Sequence, residues 1–104
     1  MKKGYKELNV RIFRPGGTKV LTATVTGKEV DVEGIRCFQH DDPHIREIKI
    51  VSEYTTGIRV GSSYSTYKQA VENARERVRT AGIDVTLGLI KDYQNNADFG
   101  IINK

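Results

Sequence analysis

Residues 47–82 constrain this chain more than any other stretch, because they spell a β-hairpin that runs directly into a helix marked at both ends. Residues 46–54 alternate, with Ile48, Ile50 and Tyr54 on one side. Thr55-Thr56-Gly57 has the form of a three-residue hairpin loop with Gly57 in the left-handed position. That register sets Tyr54 opposite Ile58 and Ser52 opposite Val60 on the buried face, with Glu53 and Arg59 as an outer-face ion pair. Thr66-Tyr67-Lys68-Gln69 then fits a capping box, in which the Thr66 hydroxyl accepts from an orphan amide and Gln69 reaches back to the cap. Tyr67, Ala70, Val71, Ala74, Val78 and Ala81 recur at helical spacing, and the alanines let a helix axis lie close to a sheet. Gly82 closes the helix as its C′ residue, with Ile83 placed against Val78.

The amino-terminal half repeats the alternation. Leu8, Val10 and Ile12 share a face over residues 8–14, and Leu21, Ala23 and Val25 share one over residues 18–26. Gly16 and Gly17 both tolerate positive φ, and a two-residue loop there pairs Ile12 with Leu21 and Val10 with Ala23. Turn and apolar pattern therefore demand the same register. Gly27-Lys28 reads as a turn into a third strand over residues 29–39, whose phase changes at Gly34 as a bulge or bend would make it. Asp41-Asp42-Pro43-His44 is a loop by its turn chemistry. Past the helix, residues 83–95 fit either a strand, with Ile83, Val85, Leu87 and Leu89 alternating, or a short helix begun by Asp84. Residues 89–94 favour the helix, and residues 99–102 tuck back on the core. The expectation is one α+β domain over residues 1–104. It is an antiparallel meander of about five strands, with one amphipathic helix on a face and a short C-terminal helix or extension.

With 104 residues there is room for one core, and 38% hydrophobic against 29% charged residues is the balance of a folded chain. No apolar run approaches the ~20 residues of a bilayer span, and no apolar stretch follows the charged start to make a secretory signal. Cys37 is the only cysteine, so an intramolecular disulfide is excluded. A cytoplasmic location is expected. The net charge of +4 leans toward anionic partners, yet 13 acidic residues are interspersed with 17 basic ones.

Four groups of residues stand out as candidate sites. Cys37, His40 and His44 have the spacing Cys-x2-His-x3-His, three ligands that zinc favours, but no fourth ligand or paired Cys-x2-Cys knuckle accompanies them. A solvated turn is the simpler reading, and no metal or other cofactor is expected. Ser62, Ser63, Ser65 and Thr66 lead into a helix N-terminus, where free amides attract anions; capping explains them sufficiently. Lys68, Arg75 and Arg79 share a helix stripe, and Lys2, Lys3 and Lys6 cluster at the chain start. Arg11, Phe13 and Arg59, with Val51, fall on the sheet face away from the assigned core. That face needs the tail, a second copy or a partner to cover it.

The strand–Gly–strand–capped-helix pattern of residues 47–82 is similar in general outline to many small phage and mobile-element proteins, a likeness that carries no site. No convergent catalytic constellation is legible. The leading expectation is therefore a non-enzymatic protein that binds another protein, such as a mobile-element-encoded regulator or inhibitor of a host nucleic-acid-handling protein. The alternative is a small basic nucleic-acid binder using Lys68, Arg75, Arg79 and the N-terminal lysines on phosphate, with steep salt dependence. No membrane partner is expected, and a homodimer is a third arrangement of the same surfaces.

Overall fold

The computed structural model describes residues 3–13 and 20–104. Five strands form one antiparallel sheet in sequence order: β1 (Tyr5–Phe13), β2 (Val20–Val32), β3 (Ile35–Asp41), β4 (Lys49–Glu53) and β5 (Arg59–Ser63). Helix α1 (Tyr67–Ala81) and helix α2 (Ile83–Gln94) complete the α+β fold. The first register is the expected one, with Ile12 opposite Leu21 and Val10 opposite Ala23. The Gly16-Gly17 loop that was to enforce it lies outside the described residues.

Two boundaries differ from the sequence reading. Gly27-Lys28 is not a turn: β2 runs straight through it, pairing with β1 as far as Lys28 and with β3 from Lys28 onward. Gly27 serves packing instead, because a Cβ there would lie 2.8 Å from Phe38 Cδ2. The chain actually reverses at Glu33-Gly34, both with positive φ (54° and 87°), as a two-residue hairpin demands. Gly34 is thus the second corner of a turn rather than a bulge.

The β4–β5 hairpin keeps its Gly57 corner, at φ 70°, but a bulge between Val51 and Ser52 shifts the register. Ser52 faces Arg59, not Val60, and Glu53 N donates to Ile58 O at 2.8 Å. The expected Glu53–Arg59 ion pair does not form. Glu53 is buried and caps the loop, its carboxylate accepting from the amides of Thr55 (2.7 Å) and Thr56 (2.9 Å) and from both threonine hydroxyls. A buried carboxylate is tolerated when donors surround it this closely.

Helix α1 starts as its sequence prescribes, with Thr66 Oγ1 accepting from Gln69 N at 3.1 Å. The return half of the box is replaced, since Gln69 Oε1 accepts from Ser63 Oγ. Ala70, Val71, Ala74 and Val78 are buried against Val32, Ile35, Cys37 and Val51. Each fully buried valine or isoleucine here contributes about 1.5–3 kcal/mol relative to exposure, each alanine less. Val51 therefore lies under the helix and not on an open outer face, while Ala81 is exposed at the far end. Gly82, with its N–H on Val78 O at 2.8 Å, ends α1 and begins α2 without a loop. Asp84 sits in the first turn of α2 and gives no side-chain cap.

The face with Leu8, Val10 and Tyr54 turns away from α1. It packs on Phe38 as a second apolar cluster, enclosed by the curl of the sheet itself. The curl brings β1 to the β4–β5 loop, where Arg11 N donates to Gly57 O at 2.9 Å. A Cβ on Gly57 would lie 2.8 Å from Asn9 O, so only glycine permits this approach. The tail seals the seam. Buried Asn103 accepts from Asn9 N (2.9 Å) and donates to Asn9 O and Tyr54 O (both 2.8 Å). Ile102 N reaches Thr55 O, as the expected tucked-back tail requires. The edge of β1 is thus satisfied from within the chain rather than left to pair with another.

Candidate functional site

Among the described residues two of the concavities border β5, and Arg59 lines both. The first lies at the mouth of the curl, a cleft of about 430 Å³ between β1, the 42–45 loop and the start of β5. Val10, Ile12, Ile45 and Ile50 form apolar wall, and His40 and Ser52 belong to its lining. Both are buried, with His40 Nε2 and Ser52 Oγ 2.8 Å apart and His40 Nδ1 2.7 Å from the Asp41 carbonyl. A carbonyl only accepts, so Nδ1 carries the proton, and burial holds the ring's pKa below its ordinary value, favouring the neutral form. Nε2 is then an acceptor and Ser52 Oγ donates to it.

That pair has the hydroxyl-to-imidazole relationship of an activated serine. The amide following a nucleophile normally helps hold the oxyanion, but here Glu53 N is taken up by Ile58 O. That amide is therefore not an available oxyanion donor, and the Ser52–His40 hydrogen bond orders the cleft floor. At the rim, Arg59 approaches Asp42 at 3.4 Å, while Asp42 Oδ1 accepts from His44 N and Ile45 N to shape the loop. Arg11 bonds the Phe99 carbonyl through Nη2, and its buried Nε has no hydrogen-bond partner.

The second concavity is an apolar groove of about 200 Å³ between β5, α1 and α2, lined by Ile58, Val60, Val78, Ala81, Leu89 and Ile90 with Arg59 and Arg77 beside them. Helix α2 has no buried residue. Ile83, Val85, Leu87 and Leu89 are 40–56% exposed. Only Thr86, Ile90, Tyr93 and Gln94 turn partly inward, and Tyr93 packs against Phe99 with centroids 4.8 Å apart and ring planes tilted by 59°.

The sequence candidates are scattered by this geometry. Arg11 and Arg59 meet at the first cleft, whereas the Phe13 side chain is outside the described residues. Lys68, Arg75 and Arg79 ride the outer side of α1, where Arg75 pairs with Glu72 and Arg79 with Glu33, each at 2.8 Å. Ser62 N donates to Asn73 Oδ1 and Ser65 N to Ser63 Oγ, so the serine segment is spent on local capping. Cys37 faces α1, His40 faces the curl and His44 is on the loop, so the three do not converge. Among the described residues no group of three or more His, Cys, Asp or Glu is placed to hold a metal ion. Lys6 joins Glu29 at 3.0 Å, in a network where Arg36 also bonds Glu29 and lies over the Tyr54 ring. Lys2 is not among the described residues.

The Ser52–His40 pair escaped the sequence reading because it depends on the β3–β4 register, which the misplaced third strand hid. The parity signal was present, since His40 and Ser52 fall on one face once Gln39 pairs with Val51.

No protein-family model matches the chain, and comparison with curated proteins and with solved structures returned no match. Among the described residues no helix is long and apolar enough to cross a membrane.

Proposed function

We propose that this chain is a non-enzymatic protein-interaction module that seats an apolar, acid-flanked segment of a partner on α2 and in the groove beside it. One observation carries this reading: α2 concentrates exposed Ile83, Val85, Leu87 and Leu89 on a helix that buries none of its side chains. Scattered apolar exposure is ordinary, but here it is concentrated on one helix as two i,i+4 pairs on different faces, Ile83 with Leu87 and Val85 with Leu89, and Leu89 lines the groove. Arg77 beside the groove selects an acidic flank. A second copy would bring the same arginine and a net charge of +4 against itself, which favours a different protein as partner. The mobile-element inhibitor is a narrower form of this reading, with the partner drawn from the host's nucleic-acid-handling proteins.

The nucleic-acid alternative has less support, because two of its three helix residues already neutralise carboxylates. Capture from the source cell tests both, comparing wild type with Leu89→Asp and Lys68→Glu, with and without nuclease. The proposal expects a protein retained through nuclease, lost with Leu89→Asp and kept with Lys68→Glu. Loss with Lys68→Glu or with nuclease, and retention with Leu89→Asp, would transfer the function to the basic face.

A further inference from the structure

The cleft at the mouth of the curled sheet has features that a protein-docking role on α2 does not use. Its volume of about 430 Å³ lies within the ~300–1,000 Å³ range of small-molecule sites, which favour apolar walls and a few fixed polar groups. Val10, Ile12, Ile45 and Ile50 supply such walls. The polar groups are unevenly distributed. Arg11, Arg59 and a single carboxylate, Asp42, line it; Asp42 keeps only a loose 3.4 Å contact with Arg59 and spends its other oxygen on the loop amides. One positive charge is therefore uncompensated among the cleft-lining arginines and carboxylates.

Arg11 adds an independent sign. Its Nε is buried and donates to nothing, although a buried donor left unpaired costs about 1–3 kcal/mol. With Nη2 held by the Phe99 carbonyl, this Nε is matched by one oxygen of a carboxylate. The floor adds direction. Ser52 donates its hydroxyl hydrogen bond to His40 Nε2, and the other ring nitrogen donates to the Asp41 carbonyl, so the pair presents no donor to an anion. Negative charge is unfavourable at the floor and favourable at the arginine side.

We propose that this cleft binds a small organic carboxylate, with its apolar body against Ile45, Ile50 and Val10 and its carboxylate toward Arg59 and Arg11. The charge is recognised by the arginines and the body by the isoleucines, so neither an inorganic anion nor a neutral analogue suffices.

Nuclear magnetic resonance titration of the labelled full chain tests this, with benzoate and hexanoate as probes, benzamide as the uncharged control and inorganic phosphate as the bodiless anion. Benzoate or hexanoate is expected to shift the resonances of Arg11, His40, Ser52 and Arg59 saturably, with benzamide and phosphate at least about tenfold weaker. Arg59→Gln is expected to weaken carboxylate binding about tenfold, the scale of one charge-assisted hydrogen bond. Ile45→Ala, at an exposed loop position that spares the fold, should weaken it less while leaving the phosphate response unchanged. Absent or non-saturating shifts, equal binding of benzamide, equal binding of phosphate, or shifts centred elsewhere would each overturn the proposal. Partner capture through Leu89 is read separately and is unaffected by these outcomes.

Discussion

Gly61 of β5 and Ala74 of α1 touch backbone to backbone: a Cβ on Gly61 would lie 2.6 Å from the Ala74 nitrogen and 2.8 Å from its Cβ. The helix sits as low on the sheet as two such residues allow. Gly61→Ala must lift α1 or distort β5, and overpacking of this kind costs about 1–3 kcal/mol. Denaturant unfolding should show a lower midpoint with little change in slope.

The seam between β1 and the tail rests on Asn103, which spans Asn9 and Tyr54 with three hydrogen bonds. Asn103→Ala strands buried backbone groups, at about 1–3 kcal/mol for each one left unpaired. Hydrogen exchange should accelerate at Asn9 and along the 99–104 segment before it changes in α1.

Acid should weaken the fold through His40 first. Burial lowers its folded-state pKa below 6.5, so between the two values the unfolded chain binds more protons than the folded one. The stability contribution is complete above pH 6.5 and is lost as pH falls below it. Glu29 acts in a lower window: hydrogen bonds from Arg36 and Lys6 bring its pKa from 4.5 to about 2, so its contribution fades only as pH drops below 4.5. Stability measured from pH 7 to about pH 5 should slope downward in wild type and be flatter in His40→Gln.

Cys37 should behave as an inert hydrophobe. It lies fully buried beneath α1, and burial, aided by the charges of Glu53 and Asp31, pushes its thiol pKa up to about 12. A thiol reagent should label it only at the rate of unfolding, and any destabilising change at Gly61 should raise that rate in proportion.

Much of the fold was legible because its signals were local. The Thr66 cap, the Ala70–Ala74–Val78 stripe, the Gly57 corner and the helix of residues 89–94 each follow from a few neighbouring residues. What failed was non-local. Gly27 looked like a turn glycine, yet its reason is the Phe38 ring across the strand pair. Val51 was placed on an outer face because one helix and one apolar face were assumed. The sheet is apolar on both faces and covers the second by curling. Arg11 and Arg59 stand out in the sequence by falling on the sheet face away from the assigned core and do meet at the cleft, but His40, Ser52 and Ile45 join them only through tertiary closure. The apolar residues of α2 were visible as an alternation; their exposure was not, since that depends on what α1 leaves uncovered.

Site-specific photocrosslinking in the source cell tests the central claim most directly, with a photoreactive residue placed in turn at Val85, Leu89 and Tyr64. Tyr64 is the most exposed large hydrophobic among the described residues, at 83%, and lies off α2. The account predicts one discrete protein adduct from Val85 and Leu89 and none from Tyr64. A matching adduct from Tyr64, adducts only to a second copy of the chain, or no adduct from either α2 position would contradict it.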